Sequence, residues 1–268
     1  MKKSAKGFLA FLNLIGFLAT VAVNALATLL PINGKGTGEL SDQYPNLFVP
    51  SGLTFSIWGL IYILLGIFAV YQIVIAAKSV PGQRGLFEKI NIWFFISSLL
   101  NIGWILAWHY EIVWLSLIIM VLLFISLLII YLRLNIGKSD APKTERFFAH
   151  IPFSVYIGWI TIATIANVTA LLVDSGLKTL APGEQFWAVL VIAVGTIIGV
   201  AIMFSRNDIY YNLVVVWALA GIMLKRLADT ATSDMAVTIA SIAGISILGL
   251  CIIIQLARKR GLYNRVAR

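Results

Sequence analysis

The chain has 268 residues, of which 60% are hydrophobic and only 12% charged, and its mean hydropathy is +0.97. A soluble globular domain carries about 25% charged residues, so a water-soluble fold is excluded and lipid must cover much of the surface. The net charge of +9 resides in basic residues lying between apolar runs, a membrane-topology pattern and not a nucleic-acid footprint, so no nucleic-acid partner is expected.

A membrane-spanning helix needs about 20 apolar residues. Eight segments qualify in chain order: 8–30, 52–77, 88–109, 112–134, 147–173, 185–205, 209–226 and 235–257. The basic start Met1–Gly7 and the run Asn24–Ala27 resemble a signal peptide with a cleavage site, but the apolar stretch continues to Pro31. That exceeds the roughly 7–15 residues of a signal core, so a retained first helix is expected. Gly and Pro clusters separate the segments, and the loops are short except the first, Pro31–Pro50. No segment alternates with a period of two, which excludes a membrane β-barrel pattern. The fold class read from this pattern is an all-α integral membrane protein of about eight transmembrane helices.

Lys and Arg set the orientation. With the N-terminus inside, the inner side holds Lys2, Lys3, Lys6, Lys78, Arg84, Lys89, Arg133, Lys138, Lys143, Arg146, Arg206, Arg258, Lys259, Arg260, Arg265 and Arg268. The outer side holds Lys35, Lys178, Lys225 and Arg226. Both termini are therefore expected in the cytoplasm, in a bacterial-type plasma membrane. Lys225 and Arg226 break the bias and are expected to snorkel or to mark a misassigned seventh helix.

No catalytic set is visible. The histidines, His109 and His150, stand near helix ends, and Glu111, Asp174, Glu184, Asp208 and Asp234 fall at helix ends or loops. Ion-coupled transport would place charge inside the membrane, and metal chemistry would need a Cys/His cluster, so neither is expected. Cys251 lies alone in an apolar run and reads as a small hydrophobe. What remains is aromatic and amide residues at helical spacing. Phe55, Trp58, Tyr62 and Gly66 share one face of the second helix; Asn101, Trp104 and Trp108 share one face of the third; Tyr156, Trp159, Ala163 and Asn167 share one face of the fifth. For any single one of these residues, helix packing or an interfacial belt is the commoner role. Trp159, however, lies roughly 20 Å below the outer end of its helix, too deep for a belt. The three stripes together suit a pocket for a flat, largely apolar ligand, with the first loop as a lid.

The same stripes resemble the TspO/MBR family, the tryptophan-rich sensory proteins related to the mitochondrial translocator protein. The resemblance runs through "YPNLFVPSGLTFSIWGLIYILLG", with Pro45, Pro50, Phe55, Trp58, Tyr62 and Gly66, through "LLNIGW", with Leu100, Asn101 and Trp104, and through "VYIGWITIATIAN", with Tyr156, Trp159, Ala163, Thr164 and Asn167. It departs at the first-loop tryptophan, replaced around Leu47–Phe48, at Ser97 where a glutamine is expected, and at Val155 where a proline is expected. The family pattern has five helices, which divides the chain into a TspO-like bundle over 1–175 and a three-helix extension over 176–268.

The resemblance implies a receptor- or sensor-type protein that binds a porphyrin or haem under the first loop and has no resident cofactor. Trp58 and Trp159 match pocket tryptophans, and Ala163 matches a ligand-contact position. The implied site comprises Pro50, Phe55, Trp58, Tyr62, Asn101, Trp104, Trp108, Tyr156, Trp159, Ala163 and Asn167, with Asn101 and Asn167 as donors. The expected partners are the lipid bilayer, a tetrapyrrole or similar apolar small molecule and, as an assembly, a homodimer. Transport of an amphipathic solute is the alternative, motivated by the three extra helices. Slow light-dependent porphyrin breakdown, ascribed to some members, ranks last because no general acid or base lies in the membrane core. A structural role for the last three helices is a further reading.

Overall fold

A computed structural model of the chain describes residues 3–30, 32–78, 85–177, 182–228, 230 and 233–266, with side chains as far as Arg258. Among the described residues there is no strand. The eight expected segments each form a helix: α1 (Lys3–Leu29), α2 (Ile57–Lys78), α3 (Trp93–His109), α4 (Val113–Arg133), α5 (Ile151–Asp174), α6 (Glu184–Arg206), α7 (Ile209–Ala228) and α8 (Met235–Val266). Seven are long and apolar enough to cross a membrane, and α3 is an apolar helix of 17 residues, about 26 Å at 1.5 Å per residue. Large apolar side chains such as Ile63, Ile197 and Ile253 stand exposed along the helices. In water that surface would be untenable; in lipid it is the expected coat. The protein is an integral membrane protein.

Several boundaries differ from the hydropathy reading for local reasons. The segment expected as one helix from 88 breaks into a short helix, Leu86–Ile90, and α3, because Asn91 turns the chain with φ 48°. Residues 52–56 form a tighter 3-10 turn before α2, and α5 is entered through a π-turn, Arg146–His150. Asparagine tolerates positive φ better than most residues, and Asn33, Asn135 and Asn207 supply it at three more turns. Asp208 caps α7, its Oδ1 accepting from Tyr211 N at 3.1 Å, and Asp234 caps α8 by accepting from Val237 N at 2.9 Å.

The helices are joined by small residues and buried polar pairs, the usual glue where lipid removes the hydrophobic drive between helices. Asn13 donates to Gln72 between α1 and α2 at 2.9 Å. Tyr211 donates to Thr161 between α7 and α5 at 2.9 Å, where Gly158 lets the backbones approach: a Cβ there would stand 3.1 Å from Tyr211 O. At one end of the bundle, the loop 32–50 meets the α3–α4 turn through Lys35–Glu111 and the end of α7 through Lys225–Asp42. At the other end, Lys89 meets Glu145 at 3.4 Å, and Tyr131 donates to Asp208 at 2.8 Å. Lys225 therefore does not mark a misplaced helix: α7 forms, Lys225 at its end reaches Asp42 of the loop, and Arg226 beside it is buried.

Candidate ligand site: an aromatic chamber under the first loop

The three stripes converge. Trp58 of α2 stacks on Trp104 of α3 with ring centroids 5.5 Å apart and on Tyr62 at 5.7 Å. It meets Trp159 and Tyr156 of α5 edge-on at 6.1 and 6.2 Å. Phe55 meets Trp159 edge-on at 6.1 Å, and Trp108 continues the stack from Trp104 at 6.5 Å. Offset and edge-to-face contacts of this kind suit the ring quadrupoles. Above the cluster lies a cavity of about 40 Å³. Pro50, Phe55, Trp58, Trp104, Trp108, Trp159, Ala163 and Asn167 of the expected set line it.

Tyr62, Asn101 and Tyr156 do not line it. Asn101 is fully buried; it accepts from Asn24 of α1 at 2.8 Å and donates to the Tyr156 hydroxyl at 3.0 Å. This relay ties α1, α3 and α5 and holds Asn101 away from the cavity wall. Asn167 reaches the cavity wall, but its Oδ1 accepts from Trp104 Nε1 at 3.3 Å and Ser116 Oγ at 3.0 Å, and its Nδ2 donates to Ala163 O at 3.0 Å. The oxygens of both amides and one N–H of each are thus bonded within the fold: the Asn101 bonds join helices, whereas Asn167 donates within α5 and stays on the cavity wall. Gly66 also leaves the stripe's purpose, since a Cβ there would meet Phe17 of α1 at 3.1 Å. Replacing Asn101 by leucine strands Asn24 and Tyr156, at a cost of about 1–3 kcal/mol. A thermal melt of Asn101→Leu should show that loss, while ligand affinity of the folded variant stays within about two-fold.

One polar group on the wall has no partner. The Trp159 indole Nε1 is buried and makes no hydrogen bond among the described residues. It is the group that a ligand acceptor would satisfy.

The roof is the first loop. His109, expected at an interface, is fully buried and pins this loop. Its Nδ1 lies 3.0 Å from Ile32 O, and because a carbonyl only accepts, Nδ1 carries the proton. In the neutral ring Nε2 then accepts from the Thr37 hydroxyl at 3.1 Å. Trp108 Nε1 donates to Thr37 O at 3.4 Å and its ring tilts against Tyr44 at 5.5 Å. Burial, then the carboxylates of Glu111 and Asp174, push the Tyr44 hydroxyl above its ordinary range, so that ring stays neutral.

Residues on both sides of position 175 build the wall. Ala218 and Ile222 of α7 line the cavity with Phe48, Ile162 and Ala166. Ser51 N donates to Gly221 O at 3.0 Å, and Trp217 Nε1 donates to Thr54 O at 2.9 Å. Ile162 and Ala166 share helical spacing with Trp159, so the α5 stripe already pointed to them. Nothing in the local sequence of α7 pointed to Ala218 or Ile222.

The chain matches the family model of TSPO-like proteins over residues 10–254. It belongs to the TSPO-like protein family. The match runs past residue 175 and takes in the last three helices, so the family likeness of this TSPO-like chain is not confined to the first five. No curated protein and no solved structure matches the chain.

Proposed function

We propose that this TSPO-like protein is a receptor-type membrane protein that takes a flat, largely apolar ligand of the tetrapyrrole class into the aromatic chamber. The observation that carries this reading is the unpartnered Trp159 N–H on a wall otherwise made of rings and small apolar residues. A few placed polar groups in an apolar concavity are the usual marks of a small-molecule site. The chamber of about 40 Å³ is far below the roughly 300–1,000 Å³ of drug-sized pockets, so the ligand enters by opening the roof. Phe48 lines both this chamber and a second cavity of about 290 Å³ between the loop and the α5 and α6 ends. Displacing Phe48 joins the two. The ion pairs that tie the roof, Lys35–Glu111 and Lys225–Asp42, are solvent-exposed in part, and such pairs contribute about 0–1 kcal/mol each.

The basic residues Lys3, Lys6, Lys78, Lys89, Arg133, Lys138 and Lys143 stand at the end remote from the roof, and by the positive-inside tendency this reading sets that end and both termini in the cytoplasm. The role is one of binding, not catalysis. Transport of an amphipathic solute is the second reading, supported by α7 forming part of the chamber wall.

Titration of the protein with protoporphyrin IX in nanodiscs should quench tryptophan fluorescence saturably, at one equivalent per chain. Phe48→Ala should speed that quenching several-fold by joining the cavities. Unsaturable quenching, equal in the parent and in Trp58→Phe, would end the tetrapyrrole reading. Solute uptake by proteoliposomes would favour transport.

A further inference from the structure

A larger cavity, about 510 Å³, lies at the opposite end of the bundle, where α5 and α7 begin and α8 passes. Lys143, Arg146 and His150 line one side; Ile136, Ile151 and Ile209 line another. Ile151 and Trp159 are about 12 Å apart along α5, so this cavity is separate from the aromatic chamber.

Its charge is unbalanced. The Arg146 guanidinium is fixed by donating from Nε to Ala141 O at 2.8 Å and from Nη2 to Ser139 O at 3.1 Å. Both acceptors are neutral carbonyls, so they orient the cation without cancelling it. Lys143 is exposed, and among the described residues neither it nor Arg146 pairs with a carboxylate. The nearest acid in sequence, Glu145, is buried and faces Lys89 at 3.4 Å and His150 Nε2 at 3.6 Å.

Asp208 is the carboxylate on the lining, and neutral donors orient it as neutral acceptors orient Arg146. Its Oδ2 accepts from Tyr131 at 2.8 Å and Ser154 at 2.7 Å, and its Oδ1 from Tyr211 N at 3.1 Å. The Arg206 guanidinium lies 5.2 Å from the Tyr131 ring centroid. Against the cations Lys143 and Arg146, the Asp208 carboxylate leaves a positive surplus on the lining.

The rest of the wall decides what kind of anion fits. Phe147 and Tyr210, both on the lining, are exposed aromatic side chains at the start of membrane helices. A small soluble anion has no use for them or for the three isoleucines. A phosphate attached to acyl chains uses both parts, and it is present at this depth of the bilayer by default. Basic pockets between transmembrane helices are a recurrent way of holding such headgroups.

We propose that this cavity binds the phosphate headgroup of an anionic phospholipid, with Lys143 and Arg146 as its cationic contacts and Phe147, Ile151 and Ile209 against the acyl glycerol. The occupied site clamps the π-turn Arg146–His150, through which α5 and its Trp159 are positioned.

The test uses the full chain in nanodiscs of phosphatidylcholine with and without phosphatidylglycerol, with the retained lipid counted by native mass spectrometry. The parent should keep one phosphatidylglycerol per chain and melt at a higher temperature in its presence, as binding to the folded state requires. Lys143→Gln should weaken retention about 5-fold, and Lys143→Gln with Arg146→Gln about 30-fold, at the ~5-fold that one juxtamembrane cation contributes. Among the described residues the Lys143 side chain makes no hydrogen bond or ion pair that its loss could disturb, and Arg146→Lys keeps the charge, so Lys143→Gln and Arg146→Lys separate headgroup binding from folding. Arg146→Lys should retain the lipid. Equal retention by the parent and the double variant would overturn the site. Displacement of the lipid by millimolar inorganic phosphate would overturn the lipid assignment in favour of a free anion.

Discussion

Substituting alanine for Gly221 is expected to lower the thermal midpoint by roughly 6–12 °C, from a loss of about 3 kcal/mol. A Cβ at Gly221 would stand 2.0 Å from Thr54 Oγ1 and 2.9 Å from Thr54 Cβ. Thr54 is buried, so it has nowhere to move. Relief comes only by pushing α7 away from the 3-10 turn Gly52–Ser56, which stretches both the Ser51–Gly221 and Trp217–Thr54 hydrogen bonds. Leaving those groups unpaired adds to the overpacking. Because Ala218 and Ile222 flank Gly221 and line the chamber, the same shift should alter the tryptophan emission of the chamber. Gly59→Ala is the control. Nothing lies within 4 Å of its Cβ position, and a helical Gly→Ala change in open space stabilises by up to about 1 kcal/mol. Melting followed by circular dichroism in detergent reads both variants. An unchanged midpoint for Gly221→Ala would mean that α7 does not bear on the 3-10 turn.

Trp58→Ala and Trp159→Phe should separate architecture from ligand binding. Trp58 makes ring contacts with Tyr62, Trp104, Tyr156 and Trp159, so its truncation removes the hub of the cluster. The expected loss is about 3 kcal/mol, the low end for a large aromatic because the ring is only half-buried. Trp159→Phe keeps a ring in place and removes an N–H that has no acceptor among the described residues. Its stability should change by less than about 1 kcal/mol, since no internal hydrogen bond is lost. Tetrapyrrole affinity should fall about 10-fold, the value of one hydrogen bond near 1.4 kcal/mol. If Trp159→Phe binds protoporphyrin IX as tightly as the parent, the indole is wall and not donor. Quenching titrations in nanodiscs, paired with melts of the same samples, distinguish the two effects.

The sequence by itself determined the membrane class, the eight helices and the stripes of Phe55–Trp58–Tyr62, Trp104–Trp108 and Tyr156–Trp159–Ala163. These are local properties: hydropathy over about 20 residues sets a span, and a period of 3.6 sets a face. It also carried the family likeness, since the motif residues stand in order along the chain. The tertiary structure decided the rest. Asn101 and Asn167 had the spacing of ligand donors, but only the packed bundle shows that Asn101 accepts from Asn24 and donates to Tyr156 and that Asn167 accepts from Ser116. Lys225 looked misplaced until Asp42, distant in sequence, came beside it. The share of the last three helices in the chamber wall rests on Thr54 meeting Trp217 and Gly221. No periodicity or local propensity encodes a contact between residues so far apart, because only the packing of the whole bundle brings α7 against the turn before α2.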